Sequence, residues 1–156
     1  VTEPRVGLLN IGTEPSKGDD FRKAAYANLE NEQTINFIGN VEPTDILKGT
    51  NDIVLTDGFT GNILLKSVEG TSQILLNDLL AVITTEESLD KKTLAVVERA
   101  IQQRVNRFTN EDIGGGFILG IKAPIVITHG SADEKMFKNS VLTAARLAVN
   151  NAFKDY

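Results

Sequence analysis

The sequence predicts an α/β fold of three layers, α/β/α, with a largely parallel sheet. Three observations carry that expectation. Four short apolar runs are continuous rather than alternating, helix-patterned segments lie between them, and each run ends in polar or glycine-rich residues. Continuous apolar strands suit a sheet covered on both faces. Alternation of strand and helix suits parallel pairing, because parallel neighbours need a crossover between them.

The apolar runs are Arg5–Ile11, Ile35–Gly39, Asp52–Thr56 and Pro124–Thr128. Between the first two, Asp19–Asn31 places Phe21, Ala25 and Leu29 on one stripe, with Asp19 or Asp20 as the cap. Pro43–Lys48 reads as one short helix with proline near its start. Asn62–Ile83 reads as a longer helical region with an internal Gly70. Ser131–Phe153 opens on a capping box, Ser131 and Glu134, ahead of Met136, Val141, Ala145 and Leu147. No repeat or low-complexity tract interrupts this order.

The bulk numbers set limits. A chain of 156 residues, 41% apolar and 24% charged, has the balance of a soluble domain with a real core. A net charge of −5 argues against nucleic acid as the main partner, since that polyanion needs a basic face. Without cysteine, the chain has no disulfide, thiolate metal site or cysteine nucleophile. A single histidine excludes a multi-histidine metal centre, and the carboxylates are not clustered for a metal; neither metal nor cofactor is expected. No apolar run approaches a membrane span, no signal peptide opens the chain, and the absence of an initiator methionine suggests a start inside a longer protein.

Ligands of open α/β sheets bind beyond the carboxyl ends of the strands. Here those ends are Asn10 to Gly18 (including Gly12, Thr13 and Lys17), then Gly39-Asn40, then Asp57 to Asn62, then His129-Gly130-Ser131. Four loops are expected to converge on one edge. Gly58 and Gly61 allow positive φ and backbone approach to an anion, or make a plain turn. Gly130 and Ser131 lead into a helix N-terminus, an anion site or simply a cap. His129 ends a strand, where it either bridges backbone groups or takes part in catalysis. Lys17 stands in a polar loop, where solvation is the ordinary fate of a lysine.

Residues 86–112 stand apart as a basic amphipathic insertion. Leu94, Val97, Ile101, Val105 and Phe108 form a helical stripe. Between Asp90 and Phe108, five basic residues (Lys91, Lys92, Arg99, Arg104, Arg107) face two acidic ones (Asp90, Glu98), a local charge of +3. Such a helix suits an anionic membrane or an acidic partner, and equally its own domain or a dimer interface.

Taken in order and spacing, VGLLNIGTEPSKG, INFIGNVE, DIVLTDGFTGNILLKSVEG and IVITHGSADEK resemble the second half of the phosphate acyltransferase (PlsX) family of phospholipid synthesis. The likeness covers essentially the whole chain, most loosely at 86–112. It departs at Gly114–Gly120, where proline or alanine is expected after paired glycines, and in length, at about half the family's. The resemblance implies a fold akin to isocitrate and isopropylmalate dehydrogenases and to phosphotransacetylases. It implies transfer of a long-chain acyl group from acyl carrier protein to inorganic phosphate, by a cytoplasmic homodimer peripherally associated with the inner face of the cell membrane. The family's catalytic lysine and asparagine fall on Lys17 and Asn62, and its HGS turn on His129-Gly130-Ser131. Asn10, Gly12, Thr13, Asn40, Asp57, Gly58 and Gly61 are then expected around phosphate and substrate. Arg99, Ile101, Arg104, Val105, Arg107 and Phe108 are expected to meet membrane or carrier protein. The chain by itself is expected to be inactive. The nearest enzyme alternative is a coenzyme A-dependent phosphate acetyl- or butyryltransferase. The alternative from another class is a non-catalytic module that docks through residues 86–112.

Overall fold

A computed structural model describes residues 1–85, 90–105, 115–130 and 132–150. The chain divides into two compact units, Val1–Ser67 and Val68–Tyr156. In the first, β1 (Arg5–Leu9), α1 (Asp20–Glu30), β2 (Asn36–Val41), α2 (Pro43–Lys48) and β3 (Ile53–Leu55) lead into α3 (Gly58–Thr84), which runs on into the second. The second unit continues with α4 (Lys91–Val105), β4 (Gly116–Phe117), β5 (Val126–Ile127) and α5 (Glu134–Val149).

The first unit is an α/β layer as expected. Its three strands are parallel in the order β2-β1-β3. The central strand has both faces covered: Val6, Leu8 and Leu9 are all buried. The outer strands keep apolar side chains partly open, among them Ile38, Ile53 and Leu55. Arg5 and Asp52 lock the entrances of β1 and β3. The Arg5 amide and Nε both donate to Asp52 Oδ2 at 2.9 Å, and the Asp52 amide donates back to the Arg5 carbonyl at 3.0 Å.

Helix starts come from local chemistry. The Asp19 carboxylate caps α1 by accepting from the Arg22 amide at 2.9 Å. Pro43 opens α2, and Gly49 closes it in the left-handed region. Tyr26 of α1 meets Phe37 of β2 edge-on, with ring centres 5.3 Å apart, and so seats the helix on that side of the sheet. Phe21, Ala25 and Leu29 of the same helix line an open groove of about 340 Å³ with Leu8, Leu9 and Leu55.

β1 and β2 do not pair evenly. Val6 lies opposite Phe37 but Leu8 lies opposite Asn40, so β2 carries one extra residue. Gly39, at φ +91°, occupies this bulge, a conformation that glycine adopts without strain. Because side chains alternate, the insertion reverses the faces of the residues beyond it. Beyond it, Asn40 and Val41 are both buried. The strand therefore continues past Gly39, where the apolar run stops.

The second unit corrects two expectations. The run Pro124–Thr128 was expected in the parallel sheet. Only Val126 and Ile127 form a strand, and β5 pairs antiparallel with β4, a two-residue strand in the glycine-rich segment. An apolar run specifies burial but not direction, and the Gly120 turn (φ +75°) lets the chain fold back as a hairpin. The second correction concerns α5. Its cap is Asp133, whose carboxylate accepts from the Met136 amide at 2.8 Å, two residues beyond the expected Ser131. Aspartate caps as well as serine, and the nearer residue sets the start.

Candidate functional site

Because β1, β2 and β3 are parallel, their carboxyl ends share one edge of the first unit. The loop after β1 leaves through Asn10, whose amide still donates to the Val41 carbonyl at 2.9 Å. Asn10 is buried, and its side chain closes the loop on itself. Oδ1 accepts from the Ile11 amide at 2.8 Å, and Nδ2 donates to the Lys17 carbonyl at 3.1 Å. Asn40, equally buried, donates from Nδ2 to the Glu14 carbonyl at 2.8 Å. The Lys17 amide bonds the same carbonyl at 3.0 Å. Two interior asparagines thus hold the loop by its backbone, and Lys17 projects from it with 45% of its side chain exposed. Its ammonium stands 3.8 Å from Glu14, an exposed pair of small energetic weight. Within this loop Gly12 is buried and Thr13 exposed.

The turn after β3 is tighter than expected. Gly58 to Gly61 form the first turn of α3, and Asn62 stands exposed on that helix. Asp57 caps it: Oδ1 accepts from the amides of Phe59 at 3.0 Å and Thr60 at 2.9 Å, and its carbonyl accepts from the Gly61 amide at 2.9 Å. Those three amides, expected at an anion, are thus engaged by Asp57. Neither Gly58 nor Gly61 has positive φ. Glycine is needed at 61 for another reason: a Cβ there would lie 2.6 Å from Cγ2 of Thr56. Hydrogen bonds from Thr60, reinforced by the charge of Arg22, hold the Asp57 carboxyl below the usual carboxylate range.

Arg22 is the residue that the sequence did not single out. Its guanidinium, 19% exposed, donates to Asp19 Oδ2 at 2.5 Å, to Thr60 Oγ1 at 2.6 Å, and to Asp57 Oδ2. The available signal was its place three residues after a capping aspartate, which reads as an ordinary helix pair.

His129 and Gly130 come after β5 in the second unit. The His129 carbonyl accepts from the Ala132 amide at 3.0 Å and from Thr128 Oγ1 at 3.1 Å, which makes a tight turn ahead of α5. Ser131 lies outside the described residues, as do Arg107 and Phe108, and the side chains of Arg104 and Val105. On α4, Arg99 is exposed with Lys91 and Lys92, and Ile101 is half-buried with Leu94 and Val97. Asp90 caps this helix, accepting from the amides of Lys92 and Thr93 at 2.8 and 2.9 Å. Among the described residues, no group of three or more His, Asp or Glu side chains is placed to hold a metal.

An open parallel sheet with a lysine-bearing loop and a helix start on its carboxyl edge is the arrangement at whose strand ends α/β proteins generally bind ligands. Sequence comparison narrows the class. A family model described as fatty acid synthesis protein matches residues 1–155, and the chain belongs to that family. It is 42% identical over 141 residues to the phosphate acyltransferase of Streptococcus pneumoniae strain Hungary19A-6, and 43% identical over 141 residues to that of strain P1031. Each alignment covers 90% of this chain and 43% of the relative. The chain therefore spans less than half the length of the curated relatives it matches.

Proposed function

We propose that this chain is the part of a phosphate acyltransferase that holds inorganic phosphate beside a long-chain acyl thioester of acyl carrier protein. The observation that carries this reading is the placement of the Lys17 loop and Asn62 at the same edge, after neighbouring strands β1 and β3. A phosphate oxygen attacks the thioester carbon, and the carbonyl oxygen takes up negative charge. The carbon–sulfur bond then breaks, and the carrier thiolate leaves and gains a proton. Acyl phosphate and free carrier protein are the products. Phosphate is itself the nucleophile, so no covalent enzyme intermediate is needed. Lys17 neutralises phosphate or the developing charge, and the Asn62 amide donates to the oxyanion.

In this reading the open groove beside α1 and the outer edge of β3 receive the portion of the relatives' chain that lies outside this one. The protein works as a cytoplasmic homodimer on the inner face of the cell membrane. No helix among the described residues is long and apolar enough to cross a membrane. The exposed Lys91, Lys92 and Arg99 of α4 favour contact with an anionic membrane surface or with acidic carrier protein.

The test is an acyl-donor comparison with the whole protein. Acyl phosphate from palmitoyl carrier protein and phosphate, exceeding that from acetyl- or butyryl-coenzyme A, supports this reading. Preference for a short coenzyme A donor makes it a phosphotransacetylase instead. Vesicle or carrier-protein binding without acyl phosphate would leave only a docking module.

A further inference from the structure

We propose that Arg22 is a positioning residue that fixes the Lys17 loop and the Asn62 helix relative to each other, a role that rests on the acyltransferase reading above.

The relationship is geometric. Asp19 ends the loop that carries Lys17 and caps α1. Asp57 begins the turn that carries Asn62 and holds the first amides of α3. One guanidinium bonds both carboxylates, and also the Thr60 hydroxyl on α3. These contacts join residues 35 and 38 positions apart across two strand ends. A planar fork with fixed donor directions sets distance and angle together, which the point charge of a lysine does not. The loop side is separately braced: Gly18 (φ +86°) lies between Asn10 and Arg22, and a Cβ there would stand 2.8 Å from Asn10 Oδ1 and 3.0 Å from Arg22 Cβ. The Arg22 side chain is turned inward, bonded to two acids of opposite loops, so it acts through them and not on substrate. Reactions that depend on two groups at one carbonyl are sensitive to such spacing, where a shift of about 1 Å can cost on the order of 100-fold.

The experiment pairs turnover with hydrogen exchange in the whole protein, for Arg22→Gln, Arg22→Lys and Asp57→Asn. Positioning predicts that kcat for acyl phosphate falls about 10- to 100-fold in Arg22→Gln while KM for phosphate changes by about twofold or less. Arg22→Lys restores little of the loss, and the double variant Arg22→Gln, Asp57→Asn is no worse than its poorer parent. Exchange at Phe59 and Thr60 and in residues 11–18 speeds up in all three. Unchanged kcat and exchange in Arg22→Gln overturn the proposal. A rise in KM for phosphate at constant kcat also overturns it, by making Arg22 a phosphate ligand. If Arg22→Gln does not fold, Arg22→Lys is read by the same criteria: restored kcat refutes the fork. An inactive unsubstituted protein refutes the acyltransferase reading and the catalytic consequence with it; the exchange result then decides separately whether Arg22 straps the loops.

Discussion

Asn40 of β2 donates from its buried side chain to the Glu14 carbonyl at 2.8 Å, so that the interior of the sheet sets the shape of the loop that carries Lys17. Asn40→Ala leaves that carbonyl with the Lys17 amide as its remaining backbone donor. The expected cost is about 1 kcal/mol in urea unfolding. Hydrogen exchange in residues 11–18 should accelerate while the Arg5–Asp52 end of the sheet is unaffected.

Gly39 makes that placement possible. A Cβ there meets nothing closer than 3.8 Å, so the obstacle to Gly39→Ala is its φ of +91° and not space. The variant is expected to lose about 1–2 kcal/mol. It should also lose the Asn40–Glu14 bond, which shows as faster exchange in the same loop.

The lock between β1 and β3 predicts a pH dependence. Hydrogen bonds from the Arg5 side chain and amide lower Asp52 from an ordinary 3.8 to about 2. The folded-state value is depressed, so the contribution is complete above about pH 4. It is lost as the pH falls through about 2. Asp52→Asn should flatten the acid side of a stability profile between these values. A profile unchanged by the substitution would contradict the lock.

The basic helix gives a surface prediction. Ile101→Asp with Val105→Asp places charge on the apolar stripe of α4. Binding of the whole protein to anionic vesicles should weaken, and more so at low salt than at high salt. Unchanged binding would assign that stripe to packing within the protein.

Much of this edge was legible in the sequence. Arg5–Leu9, the Asp19 cap and the Pro43–Lys48 helix stand where apolar continuity and capping chemistry put them, because each depends on neighbours a few residues away. The features that escaped depend on partners far along the chain. The bulge at Gly39 turns Asn40 inward through its register with β1, which no local pattern encodes. The bonds from Arg22 to Asp57 and Thr60 exist only once β1 and β3 are neighbours. The apolar run before His129 told of a strand but not its direction, and β4, two residues long, was too short to show any period. The start of α5 is set by the Asp133 cap, two positions beyond Ser131, which lies outside the described residues.

At the centre of the proposed mechanism, Lys17 and Asn62 act together on phosphate and the thioester carbonyl. The most direct measurement is the rate of acyl phosphate formation from palmitoyl carrier protein and phosphate by the whole protein, beside its Lys17→Ala and Asn62→Ala variants. The mechanism predicts a fall of about 10²–10³ in kcat for each, with the fold intact. Folded variants that turn over at the parent rate would contradict it.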